Sequence, residues 1–187
     1  MVVDADALAR AALEPGTPAY AAVVARFGPS VLAEPRAAPG GPGAAPIDRG
    51  RLAAIVFSDP EALASLEAIV HPVVRRETEA VLAAHAGSDD VVVLDLPLLQ
   101  ARDGKPPYDL DGVLVVDAPE DLALERLVSA RGMDPDDARA RMAAQPDRLA
   151  RIREADFVVT NLGTLEELGE MVDRAWQWIE GLRRGAR

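Results

Sequence analysis

The chain has 187 residues, no cysteine and a net charge of −11. That length accommodates one domain with a real core, and the missing thiols exclude a disulfide framework and any cysteine metal site. The acidic balance excludes a nucleic-acid partner, because a phosphate backbone needs a cationic surface. The opening Met1-Val2-Val3-Asp4-Ala5-Asp6 is not a secretory signal, and no apolar stretch is long enough to cross a bilayer. A cytoplasmic protein without a membrane partner is expected.

Val2-Val3 reads as the tail of a strand that the chain enters late. Asp4-Ala5-Asp6-Ala7-Leu8-Ala9-Arg10 follows it, with a helix expected from Asp6. In open α/β sheets ligands bind at the carboxyl ends of strands, and a carboxylate there can take a proton from an attacking hydroxyl. Arg10 lies one turn beyond Asp6, on the same helical face, where it can hold an anion. Spacing alone favours the plainer reading, Asp6 as a helix N-cap and the two residues as a surface ion pair.

Residues 18–86 carry helical signals and no strand, as expected of a helical insertion between two strands. Residues 35–46, rich in Pro, Gly and Ala, read as a flexible loop. Asp59-Pro60 pairs an N-cap with proline at the first helical position, and Leu63, Leu66, Ile69 and Val70 then face a core. His71-Pro72 is expected to join two helices, since proline disfavours a helical residue before it. A histidine at such a corner can hydrogen-bond a substrate oxygen or tie down the turn. His85 has no partner at metal-ligand spacing.

Val91-Val92-Val93-Leu94, Val113-Leu114-Val115-Val116 and Phe157-Val158-Val159 are uninterrupted apolar runs bounded by Asp, Gly or Asn. Such runs suit parallel strands covered on both faces. Asp95, opening Asp95-Leu96-Pro97-Leu98-Leu99, suits either a carboxylate that orients hydrated Mg²⁺ or a cap on the following loop. Pro119 and Asp134-Pro135 open further helices. Arg126, Arg131, Arg139, Arg141, Arg148, Arg151 and Arg153 make the one basic region. They suit a lid that closes on phosphate, or solvated helix faces paired with Asp136, Asp137, Asp147 and Glu154. The last helix is expected over residues 165–183, with Leu168, Met171, Val172, Ala175, Trp176 and Ile179 as core.

In order and spacing these pieces resemble the dephospho-CoA kinase family. The resemblance rests on Asp4-Ala5-Asp6 with Arg10, then Glu14-Pro15-Gly16 and Phe27-Gly28. It continues through Asp48-Arg49-Gly50-Arg51-Leu52, Val56-Phe57 and Leu66-Glu67-Ala68-Ile69-Val70-His71-Pro72. Asp95-Leu96-Pro97-Leu98-Leu99, Arg139-Ala140-Arg141 with Gln145, Ala155-Asp156 and Asn161-Leu162-Gly163 complete it.

The resemblance implies a single α/β domain over 1–187, P-loop NTPase-like, a three-layer parallel sheet. It carries a helical substrate-binding insertion at about 18–86 and an arginine-rich lid at about 126–154. It implies phosphorylation of the ribose 3′-hydroxyl of dephospho-CoA, with ATP and Mg²⁺ as cofactors. By carry-over Asp6 is the catalytic carboxylate, Arg10, Arg49 and His71 bind dephospho-CoA, and Asp95 holds the metal. Arg131 and Arg141 are the lid cations, and Asn161 and Gly163 lie near the adenine.

The family's opening strand and Gly-x-x-x-x-Gly-Lys-Ser/Thr loop are not in these residues. Lys105 is the only lysine; Pro106 follows it, and Leu99 stands where the loop's first glycine belongs. Gln100-Ala101 replace the hydrophobe and glutamate that often follow Pro-Leu-Leu. The expectation is an N-terminally truncated form of the fold, the protein itself starting upstream of Met1. Two further readings stay open: a noncatalytic binder of dephospho-CoA or nucleotide, and a nucleotide kinase of the same fold.

Overall fold

A computed structural model describes residues 1–33, 45–96, 108–143 and 147–185, with residues 184 and 185 described by backbone alone. The chain divides into two compact units, Met1–Pro97 and Leu98–Arg187.

In the first unit, strand β1 (Val2–Asp4) runs parallel to β2 (Val93–Asp95), with Val2, Val3 and Asp4 opposite Val93, Leu94 and Asp95. The described residues between them form helices α1 (Ala5–Ala12), α2 (Pro18–Phe27), α3 (Arg49–Val56) and α4 (Pro60–His85), and a 3₁₀ turn, Pro29–Val31. Each helix start is written in the sequence. Asp4, Thr17, Asp48 and Asp59 cap α1 to α4 by accepting from the N–H of Ala7, Tyr20, Arg51 and Glu61. Gly16 and Gly28, at φ 95° and 80°, take left-handed turns on either side of α2. Val23, Val31, Leu52, Val56 and Ala62 form the core, and Leu63, Leu66 and Ile69 pack against it from α4.

Two expectations fail in this unit. His71 and Pro72 do not separate two helices, because α4 runs unbroken for 26 residues with Pro72 inside it. Pro72 offers no N–H to the Ala68 carbonyl, which costs about 3 kcal/mol in a free helix. Packing of α4 against α1, α2 and α3 outweighs that local penalty. The helix of α1 begins at Ala5, so Asp4 is its cap and Asp6 sits in its first turn. Of the 35–46 loop, residues 35–44 lie outside the described residues. The Tyr20 hydroxyl donates to the carbonyl of Ala45, just beyond them, at 2.6 Å.

In the second unit, β3 (Leu114–Asp117) and β4 (Phe157–Thr160) are parallel, with Leu114 opposite Phe157 and Asp117 opposite Thr160. Helices α5 (Glu120–Arg131), α6 (Pro135–Ala143) and α7 (Arg148–Arg153) lie between them in sequence, and α8 (Leu165–Gly185) follows. Gly132, left-handed at φ 62°, ends α5 in a Schellman turn: its N–H reaches Val128 O and that of Met133 reaches Leu127 O. Trp178 stacks on Phe157 at 5.3 Å between ring centres, and Ala175 and Val159 are buried, joining α8 to β4.

The strands are where the sequence places them, and parallel, but not covered on both faces. Val2, Val93, Leu114 and Val116 are exposed, Val116 at 63%. The reason is that they pair only two by two among the described residues, so each strand has a single neighbour. The α8 stripe is corrected as well: Val172 and Trp176 are exposed, whereas Leu168, Met171, Ala175, Trp178 and Ile179 turn inward.

Candidate functional site

The carboxyl ends of β1 and β2 place Asp4 and Asp95 side by side, with Asp6 following in α1. Asp4 and Asp95 are opposite one another in the parallel ladder, at the sheet edge where open α/β folds bind ligands. Asp6 follows in the first turn of α1 and is exposed, with no hydrogen bond or ion pair among the described residues. Arg10 turns its guanidinium to Asp4 at 3.6 Å, so the sequence's proposed pairing of Arg10 with Asp6 is replaced by one with the cap.

Arg10 and Arg49 line one small cleft, about 80 Å³, with Leu13, Glu14, Pro46 and Ile47. The motif around Arg49 explains itself from the fold. Asp48 caps α3, while Leu52 and Val56 are buried in the core. Arg49, at the first helical position, is left exposed and without a partner among the described residues. The structure thus brings together two of the three residues expected to hold the acceptor, and adds Glu14, a motif residue given no role from sequence. His71 lies on the exposed surface of α4, outside that cleft, with no hydrogen bond among the described residues.

No cluster of three or more metal-ligating side chains occurs among the described residues. The residues present still fit Mg²⁺, which keeps most of its waters and takes one or two carboxylates beside substrate phosphates. Asp95 is exposed at its strand end, and its carboxylate has no partner among the described residues. Pro97, Leu98 and Leu99 of its motif lie outside them, as do Gln100, Ala101, Lys105 and Gln145.

In the second unit, Asn161 and Gly163 sit on the short loop between β4 and α8. The Asn161 N–H donates to the Asp117 carbonyl at 2.8 Å. Arg126, reaching from α5, donates from Nη1 to the Asn161 carbonyl at 2.9 Å and from Nη2 to the Gly163 carbonyl at 3.2 Å. Thr164 and Glu167 then form a capping box: the Thr164 N–H donates to the Glu167 carboxylate at 2.7 Å, and the Glu167 N–H to Thr164 Oγ1 at 3.2 Å. The hydrogen bond from the Thr164 backbone holds the Glu167 carboxyl below its ordinary pKa. Beside this loop opens a cavity of about 370 Å³ lined by Thr160, Leu162, Gly163, Glu167, Met171 and Arg174 among others.

The arginine-rich segment divides by role. Arg148 grips buried Asp117, Nε donating to Oδ1 at 2.7 Å and Nη2 to Oδ2. That bond holds the Asp117 carboxyl below its ordinary pKa and raises the Arg148 guanidinium. Arg139 pairs with Asp136 on the surface. Arg131 and Arg141 are exposed at the ends of α5 and α6 and have no partner among the described residues. Sequence reasoning missed the structural work of Arg126 and Arg148. No local signal marks either, because their partners lie far away in the sequence.

Comparison with known proteins places the chain. The dephospho-CoA kinase family model matches residues 1–167. A dephospho-CoA kinase of Streptomyces avermitilis is 47% identical over 176 residues, 94% of this chain and 80% of that protein. That of Thermobifida fusca is 43% identical over 180 residues, 96% of this chain and 84% of that protein. The crystal structure of TT1252 from Thermus thermophilus superposes with a TM-score of 0.69 at 31% identity, covering 94% of this chain and 83% of that one. The dephospho-CoA kinase of Campylobacter jejuni, at 21% identity and a TM-score of 0.64, shares the fold over 100% of this chain and 86% of its own. The chain belongs to the dephospho-CoA kinase family.

Proposed function

We propose that this protein transfers the γ-phosphoryl group of ATP to the ribose 3′-hydroxyl of dephospho-CoA, with Asp6 as the group that takes the hydroxyl proton. The O3′–P bond forms as the bond to the β-phosphate oxygen breaks, and ADP leaves. The observation that carries this reading is Asp6 itself. It stands exposed and unpaired at the carboxyl edge of β1, while the neighbouring Asp4 is occupied by the α1 cap and by Arg10. A carboxylate not spent on the fold is available as a base.

Around it, Arg10 and Arg49 would hold an anionic part of dephospho-CoA in their shared cleft, with His71 contributing from α4 of the helical insertion. Asp95 would hold Mg²⁺, which spreads the charge of the phosphates when bound. Arg131 and Arg141, exposed and unpaired among the described residues, would serve as the cations of a lid formed by α5 to α7. Asn161 and Gly163 would contact the adenine. A chain without cysteine suits the reducing cytoplasm.

One observation favours a second reading: none of the 187 residues forms Gly-x-x-x-x-Gly-Lys-Ser/Thr, the loop whose N–H groups and lysine cradle ATP phosphates. A polypeptide of these residues alone would then bind dephospho-CoA without phosphorylating it. The test measures dephospho-CoA binding and phosphoryl transfer for this polypeptide and for Asp6→Asn. Transfer that falls about 100-fold or more in Asp6→Asn, with binding kept, supports the kinase reading. Binding without transfer in both proteins supports the second, and no binding in either removes both.

A further inference from the structure

We infer that α8 pairs with a second copy of itself, antiparallel, through an apolar stripe that the fold leaves uncovered. Leu165, Val172 and Trp176 are 87%, 52% and 46% exposed. Spacings of seven and four residues bring them to one side of the helix. That side is not the one that meets the sheet. Ala175 is buried, and Trp178, two residues beyond Trp176 and so nearly opposite it, stacks on Phe157. A single exposed hydrophobe needs no partner, but large apolar side chains in line over about three turns mark an interaction surface.

The charges on α8 name the partner. Residues 165–174 carry Glu166, Glu167, Glu170 and Asp173 against Arg174 alone. Residues 175–187 carry Arg183, Arg184 and Arg187 against Glu180 alone. A parallel pair would set acid beside acid, whereas an antiparallel pair sets each acidic half beside a basic end. With Trp176 packed on the partner's Val172, the same register carries Arg183 to the partner's Glu166. In the single chain Glu166 and Arg183 are exposed and make no ion pair among the described residues. An anionic membrane surface fits less well, because Glu166 and Asp173 flank the stripe.

A two-fold axis repeats every contact, so the assembly closes at two chains. The interface is small: a helix of 21 residues is about 32 Å long, and one helix pair falls at the weak end of specific association. Glu167, Glu170, Met171 and Arg174, which line the cavity beside the 161–164 loop, lie on the other side of α8. The pairing therefore covers none of them.

The experiment is sedimentation equilibrium of the 187-residue chain at micromolar concentrations and low salt. It compares the unsubstituted protein with Trp176→Lys, Glu166→Arg, Arg183→Glu and the double charge-swapped variant, each checked for its fold by far-UV circular dichroism. The expected result is a reversible monomer–dimer equilibrium with nothing larger, abolished by Trp176→Lys. Each single charge reversal should weaken it by about tenfold, and the double variant should regain the unsubstituted affinity. A chain that is monomeric throughout overturns the inference. So does association that survives Trp176→Lys or that the double variant fails to regain, since the contact then lies elsewhere, as on the exposed strand residues Val2 and Val116. If Trp176→Lys does not fold, the charge-swap series decides alone.

Discussion

Arg10 bonds the carboxylate of Asp4, 3.6 Å away, and not that of Asp6, which lies one turn before it on the same helix. The cap residue therefore carries the structural load, and Asp6 stays free. The consequence is a separation of effects. Asp4→Ala removes the α1 cap and is expected to cost about 1 kcal/mol in urea denaturation. Arg10→Ala breaks only an exposed ion pair and should change stability by less than about 1 kcal/mol, while weakening dephospho-CoA binding measured by calorimetry. Equal losses of stability in both variants would contradict the division.

The Arg148–Asp117 pair makes the second unit acid-sensitive. Hydrogen bonding to Arg148 lets Asp117 ionise more easily in the fold than in the unfolded chain, whose ordinary value is 3.8. The pair's contribution is therefore complete above that value and disappears as the pH falls below it. Asp117→Asn should lower the melting temperature by roughly 5 °C at pH 7. The gap to the unsubstituted protein should close in melts recorded at progressively lower pH below 3.8. A gap that stays constant with pH would mean that the carboxylate's charge is not what matters.

Gly163 is constrained by a side chain and not by its backbone angle. A methyl group there collides with the Glu167 carboxylate, which must then leave the Thr164 N–H. Gly163→Ala should lower the melting temperature by roughly 3 °C. In a Glu167→Ala background it should cost almost nothing, a non-additivity that a double-mutant cycle reads directly.

Gly112 faces the indole of Trp178. A Cβ at Gly112 would stand 2.8 Å from two ring carbons, and the ring cannot retreat without losing its stack on Phe157. Gly112→Ala should cost about 1–3 kcal/mol by overpacking, seen by denaturation followed through tryptophan fluorescence. A variant of unchanged stability would show that the indole has room to move.

Much of the architecture was readable because its determinants are local. β-branched runs gave the strands, and Asp59-Pro60 and Asp134-Pro135 gave two helix starts to the residue. The misreadings are places where a distant contact overrides a local rule. Pro72 breaks a helix in isolation, yet Leu66, Ile69 and Val70 packed before it and Thr78 buried after it keep α4 whole. Val172 and Trp176 continue a helical stripe but fall outside its buried arc. Of the candidate site, the sequence offered residue types at family spacings, and Arg10 and Arg49 line one cleft in the structure. Arg126 and Arg148 were unreadable as supports, because their partners lie 35 and 31 residues away and no spacing rule joins them.

The ladder between β1 and β2 has a consequence in time. It pairs Asp4 with Asp95 across the whole helical insertion, so closing it carries the entropy of a long loop until the helices have condensed. Local helical contacts are therefore expected first, and the acidic edge that holds Asp4, Asp6 and Asp95 last. In refolding, helical circular dichroism should accordingly recover before dephospho-CoA binding does, and simultaneous recovery would show that the edge forms with the helices. In a protein built this way the carboxylates of the proposed site come together only once two strands far apart in sequence have met.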